Sequence, residues 1–333
     1  MTSDETRLRV FSGIQPTGRK TLGNYSGGFR QYVETQERGD GFFCIVDLHS
    51  LSVDYDPADL RASTLDLAAL LFATGLDADR STVFCQSHVT AHAEASWLLS
   101  AVTGYGQLGR MTQFKDKSAS QEFVSAALFT YPILMAGDIL LYQTDIVPIG
   151  DDQRQHLELT RDIAQRFNHR FGETFRIPEG VFPKIGGRIM DLQEPTTKMS
   201  TSTSSDQGAV YLSDSPDAIR KKFRSAVTDS EREVRYDPEE KPGVSNLLEI
   251  MSVAGGEPIA TLEQRFAGSG YGDLKEAVGE SVVTLLAPFQ ERYAALRADE
   301  AELQRLLAVG AEKARNASGP TLEAMYDHMG FAR

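Results

Sequence analysis

Apolar residues in the first half of the chain come in short blocks. Leu8 to Ile14, Gly41 to Asp47 and Ser81 to Gln86 are strand-length runs, each followed by turn residues and a longer segment with helical spacing. Asp56 and Pro57 read as the N-cap and first residue of a helix reaching about Leu76, and Thr90 as the cap of a helix carrying Trp97, Leu98 and Leu99. Asp145 to Gln153 reads as a further strand entering a helix, with Gly150 at the turn and Asp152 and Gln153 at the helix start. Strands alternating with helices predict an α/β fold: a doubly wound, Rossmann-like parallel sheet whose ligands bind beyond the strand carboxyl ends. His49 falls at such an end. After about Leu212 the strand signal stops. Ser215-Pro216 opens helices through Val227, others follow near Val244 to Val253 and Ile259 to Phe266, and a charge-laced amphipathic segment runs from Leu274 to Ala314, broken near Pro288. The expected division is therefore a Rossmann-like domain over 1–212 and an all-helical domain over 213–333.

Two stretches carry chemistry. Residues Phe11 to Tyr25 (FSGIQPTGRKTLGNY) read as a strand, a tight turn and a helix opening near Gly23. Pro16 and Gly18 suit the turn, and Gly23 lets the backbone at the helix start approach a ligand closely. That describes either an anion site for nucleotide phosphate or an ordinary strand-to-helix turn. Ser125 to Tyr142 is a long apolar stretch interrupted by one carboxylate, Asp138, which shares a helical face with Tyr131 and Met135. An acid on an apolar face is costly unless paired. It reads either as a buried group bonded to a neighbour or as a recognition acid in a hydrophobic pocket.

Composition narrows the classes. The net charge of −13 argues against indiscriminate nucleic-acid binding, although Arg220, Lys221, Lys222 and Arg224 form a basic cluster, either a solvated helix face or a local RNA contact. No apolar run is long enough to span a bilayer, and the first residues lack the basic and apolar regions of a signal peptide. Cys44 and Cys85 lie in strand-like runs and read as reduced core residues of a cytoplasmic protein. His88 and His92 read as surface histidines rather than a metal pair, and no metal site is expected. Gly268 to Gly272 follows a helix, not a strand, and reads as a helix–helix turn.

Lys198-Met199-Ser200-Thr201-Ser202 then completes a pattern. With Thr21-Leu22-Gly23-Asn24 it resembles the two signature motifs of class I aminoacyl-tRNA synthetases. Further matches at Ser12 to Thr17, Met111 to Lys117, Thr130 to His156, Gly187 to Met190 and Gly310 to Arg315 resemble the bacterial tryptophanyl-tRNA synthetase family over about 300 residues. The resemblance implies activation of L-tryptophan by ATP with Mg²⁺, then transfer to tRNA(Trp), in a homodimer. It implies ATP contacts from Gln15, Pro16, Thr17, Gly23, Asn24, Gly150, Asp151, Asp152, Ile189, Lys198, Met199, Ser200, Thr201 and Ser202. The catalytic group it implies is Lys198, Lys117, Asn24 and Gln15, acting on pyrophosphate and nucleotide. The tryptophan pocket it implies is Phe11, His49, Tyr131, Met135, Asp138, Val147 and Gln153, with Asp138 on the indole nitrogen. Thr201 departs from the family, which usually places a second lysine there. The alternatives are the tyrosine-activating sister enzyme, disfavoured by Met135, and a paralogue that binds tryptophan or nucleotide without charging tRNA.

Overall fold

The structure, a computed structural model, describes residues 7–119, 122–181, 189–200 and 204–332. Its sheet is built from β1 (Leu8–Ile14), β2 (Gly39–Ile45), β3 (Thr82–Cys85), β4 (Ile146–Pro148) and β5 (Glu179–Val181), in the order β3-β2-β1-β4-β5, every pairing parallel. The order reverses between β1 and β4, so the crevice of this doubly wound sheet opens beside their carboxyl ends.

The helices are α1 (Leu22–Asn24), α2 (Arg30–Arg38), α3 (Pro57–Ala73), α4 (Ala91–Ser100), α5 (Tyr105–Leu108), α6 (Thr112–Ser118), α7 (Ala126–Leu140), α8 (Arg154–Phe171), α9 (Pro216–Arg224), α10 (Pro242–Gly255), α11 (Ile259–Arg265), α12 (Tyr271–Ala298) and α13 (Glu300–Met329). Between α1 and α2 the turns widen into a π-helix over Tyr25–Phe29. Asp56 caps α3 through bonds from Ala58 and Asp59 N–H, with Pro57 at its first position, and Ser215 caps α9.

The chain divides into two compact units: 1–17, 32–183 and 299–333 in one, 18–31 and 184–298 in the other. Leu212 lies inside the second of these units. Pro288 does not interrupt α12; the helical run stops instead at Ala298 and restarts after Asp299, which caps α13. Helix α13 then packs on β3 as part of the sheet unit. A side chain at Gly310 would place its Cβ 1.8 Å from the Val83 carbonyl oxygen, so only glycine admits this approach.

In the sheet unit, strand alternation sends Phe42 and Cys44 to one face and Phe43 and Ile45 to the other. Phe11, Phe42, Phe84 and Tyr142 join Leu98, Leu99, Ile139, Ile163, Phe167, Ala311 and Ala314 in one core. Cys44 and Cys85 are buried and unbridged. In the second unit α9, α10 and α12 pack together around Phe223, Leu247, Leu248, Val278 and Val282, all buried.

Candidate active site

Asp138 lies late in α7, buried to 1% exposure. Three side chains converge on its carboxylate. Gln86 Nε2 donates to Oδ1 at 2.6 Å and His92 Nδ1 to the same oxygen at 2.7 Å, while His49 Nε2 donates to Oδ2 at 2.8 Å. A carboxylate only accepts, so each ring nitrogen facing it carries a proton. The Gln86 amide is held in its orientation because its Oε1 accepts the Leu48 N–H at 3.1 Å. Burial by itself would raise the Asp138 pKa. The hydrogen bonds from His49 and His92 outweigh it and hold the group down at about 2. An ionised carboxylate offers about four acceptor positions. Oδ1 has two donors and Oδ2 has one, which leaves a single acceptor direction on Oδ2 among the described residues.

A second chain begins one helical turn before Met135. Gln113 Nε2 donates to the Asp152 carbonyl at 3.3 Å, which turns its Oε1 toward the Tyr131 hydroxyl, also 3.3 Å away. Tyr131 has one proton to give. If it goes to Gln113, the 2.6 Å contact with His156 must be donated by His156 Nε2. His156 Nδ1 is then a bare acceptor, buried with no partner among the described residues. Burial, and then the nearby Lys117 charge, lower the His156 pKa to about 4. Burial raises that of Tyr131 to about 12. Both groups are therefore neutral at physiological pH. Lys117 Nζ lies 5.6 Å from the Tyr131 ring centre, and the His49 ring meets Tyr131 edge-on at 6.2 Å. Phe11 stacks on Tyr142 with ring centres 5.6 Å apart. Val147 is buried in the same core and Met135 packs against it. Gln153 donates to the Asp152 side chain at 2.7 Å.

The second unit contains both halves of the signature pattern. Thr21 caps α1: its N–H reaches Asn24 Oδ1 at 2.8 Å, and its hydroxyl accepts the Asn24 N–H at 3.4 Å. Leu22 N–H donates to the Val210 carbonyl at 2.8 Å, and Leu212 N–H to that of Lys20 at 2.9 Å. Gly23 sits against the backbone of Met199, whose carbonyl oxygen would lie 2.9 Å from an added Cβ. The glycine thus admits the second motif beside the first. Met199 N–H bonds the Ile189 carbonyl at 3.0 Å, and Asn246 brackets Met190 through both its N–H and its carbonyl at 2.9 Å. Met199 and Ile189 are buried, while Lys198 and Asn24 are exposed.

The model of the family described as tRNA synthetases class I (W and Y) matches residues 3–287. The chain belongs to that family. It is 53% identical over 324 residues to the Tryptophan--tRNA ligase of Listeria monocytogenes (strain EGD-e), covering 97% of this chain and 98% of the relative. Its identity to that of Mycobacterium leprae is 51%, covering 97% and 96%. Among solved structures, the tryptophanyl-tRNA synthetase of Mycoplasma pneumoniae superposes with a TM-score of 0.88 at 39% identity, covering 98% of each chain. The Campylobacter jejuni tryptophanyl-tRNA synthetase complexed with ADP and tryptophan gives 0.85 at 34%, covering 97% of this chain and 100% of that one.

Set beside the family's pattern, the sheet unit brings His49 to Tyr131 and Asp138, while Phe11 and Val147 lie in its hydrophobic core and Met135 packs against that core. Gln15, Pro16 and Thr17 follow the end of β1, and Gly150, Asp152 and Gln153 follow β4. Gly23, Asn24, Ile189, Lys198, Met199 and Ser200 lie in the other unit. Gly187, Arg188, Thr201 and Ser202 fall outside the described residues, as does the Asp151 side chain. Two expectations are corrected. His92 is not a surface histidine but a wholly buried partner of Asp138. The basic cluster on α9 is not an open cationic face: Lys222 is buried against Asp214 and the Ala209 carbonyl, both at 2.8 Å, and Arg220 is forked onto Glu280. Only Lys221 and Arg224 of the four are exposed. Sequence reasoning missed Gln86, Gln113, Tyr142 and His156 as supports of the site, because their partners lie 18 to 52 residues away.

Proposed function

We propose that this chain is a tryptophan–tRNA ligase whose amino-acid pocket is built around Asp138. The carrying observation is the single acceptor direction left on Oδ2, matched to the single N–H of an indole, beside Phe11, Met135 and Val147. The tryptophan carboxylate attacks the α-phosphorus of ATP, the bond to the β-phosphate oxygen breaks, and pyrophosphate leaves. The 3′-terminal ribose hydroxyl of tRNA(Trp) then attacks the adenylate carbonyl and releases AMP. In-line positioning and stabilised charge on the leaving pyrophosphate carry the first step, so it requires no general base. Lys198 and Lys117 are the proposed cations, Gln15 and Asn24 with the surrounding Pro16, Thr17 and Gly23 the nucleotide cradle, and Gly150, Asp152 and Gln153 the ribose and ammonium contacts. The bare Nδ1 of His156 and the polarised Tyr131 suit a neighbouring ammonium.

Mg²⁺ would arrive on the phosphates of ATP. Among the described residues no group of three or more His, Cys, Asp or Glu could hold a metal ion. No helix among those residues is long and apolar enough to cross a membrane; we place the enzyme in the cytoplasm. We further propose a homodimer. Leu51, Trp97 and Phe123 are exposed, and a shallow apolar cleft between α4 and α7 is lined by Leu48, Leu51, Ala93, Ala127 and Leu134. Charging of a tRNA(Trp) transcript with labelled tryptophan tests the ligase reading, and a chain that forms adenylate but leaves that transcript uncharged would favour the non-aminoacylating paralogue.

A further inference from the structure

We propose that His92 is a positioning residue for amino-acid choice, and that it ties the indole-reading carboxylate to the buried hydroxyl of Tyr142. The inference rests on the reading of Asp138 above. His92 Nδ1–H donates to Asp138 Oδ1 at 2.7 Å, and its Nε2 lies 2.8 Å from the Tyr142 hydroxyl. With the proton on Nδ1, Nε2 accepts, so Tyr142 must be the donor. The donors therefore run one way: Tyr142 to His92 to Asp138. Such a chain polarises each successive bond toward the carboxylate. Every member is at most 1% exposed, so water cannot substitute for a lost link.

The chain fixes a direction. With His92 and Gln86 both on Oδ1, the carboxylate cannot rotate about its bond to Cβ without breaking two buried hydrogen bonds. That leaves Oδ2, and its one open acceptor position, facing the side occupied by His49. Tyr142 is itself clamped between Phe11 and Phe42, at ring-centre distances of 5.6 and 4.7 Å. None of these groups needs to touch substrate. Each acts by holding the next.

The test reads the indole N–H alone. Pyrophosphate exchange is measured with tryptophan and with its benzothienyl analogue, in which sulfur replaces the N–H, for the parent, His92→Leu, His92→Asn, Tyr142→Phe and Asp138→Asn. A hydrogen bond to a charged acceptor implies roughly a tenfold or greater preference for tryptophan in kcat/KM. We expect His92→Leu to lose most of that preference through the KM for tryptophan, with the KM for ATP unchanged. His92→Asn, which can keep a donor near the Nδ1 position, should restore it, and Tyr142→Phe should fall between. A purely structural role would lower the melting temperature while scaling both substrates alike, and that outcome overturns the proposal. If Asp138→Asn leaves the preference intact, the reading of Asp138 fails. If Asp138→Asn abolishes it but His92→Leu does not, only the role of His92 fails.

Discussion

Replacing Lys222 with methionine should destabilise the protein while leaving its encounter with RNA unaltered. The Lys222 ammonium is held by Asp214 Oδ2 and the Ala209 carbonyl, each at 2.8 Å, and lies 4.8 Å from the centre of the Tyr211 ring. Removing one partner of a buried pair costs about 3–5 kcal/mol, because the other charge is left uncompensated. Asp214 would still keep Arg19 at 2.8 Å and the Tyr211 N–H at 2.9 Å. That places the loss at the lower end, about 3 kcal/mol. The affected segment also carries Val210 and Leu212, whose backbone bonds hold Lys20 and Leu22 at the first signature motif, so adenylate formation should fall with stability. Lys221→Met, on the exposed side of the same helix, should change stability by no more than about 0.5 kcal/mol. Urea unfolding of the two variants, with tRNA binding measured across a salt series, separates the cases. If Lys222→Met is as stable as Lys221→Met and lowers the salt slope of tRNA binding by about one, then Lys222 contacts phosphate and its placement in the interior is wrong.

Gly310→Ala should lower the unfolding midpoint by an amount matching an overpacking penalty of about 1–3 kcal/mol or more, since its methyl would overlap the Val83 carbonyl; an unchanged midpoint would show that α13 does not approach β3 so closely. His156 titrates near 6.5 when unfolded and about 4 when folded, so the unfolded chain binds the extra proton and stability should fall as pH drops from about 6.5 toward 4. His156→Gln should flatten that part of the stability–pH curve, and an unaltered slope would assign it elsewhere. Thr201→Lys should speed adenylate formation by about tenfold, or roughly 1.4 kcal/mol of barrier, more than it tightens ATP; slower single-turnover pyrophosphate release than in the parent would show a loop tuned around a neutral residue.

Much of the sheet was legible because its strands are nearly continuous apolar runs and its caps are local: Asp56 needs only Ala58 and Asp59 to do its work. Asp138 stood out for the same reason, one charge on an apolar face. Two of its three partners did not. His92 is 46 residues away and Gln86 is 52, and a histidine near a helix start looks the same whether it meets water or a carboxylate. Lys222 was hidden in the opposite way, since a run of cations reads as a solvated face until Asp214 folds over it. The grouping of α13 with the sheet did leave a trace: Gly310, Ala314 and Ser318 form a small-residue ridge, and small residues at helical spacing permit close backbone approach. Pro288 misled because a proline inside a helical pattern usually ends or kinks it, whereas α12 continues through it.

The central claim is that this pocket activates tryptophan. Pyrophosphate exchange, run with each of the standard amino acids at saturating ATP, tests it most directly. The account predicts exchange with tryptophan alone at substantial rate, with tyrosine far below it. Faster exchange with tyrosine than with tryptophan, or no exchange with either, would contradict it.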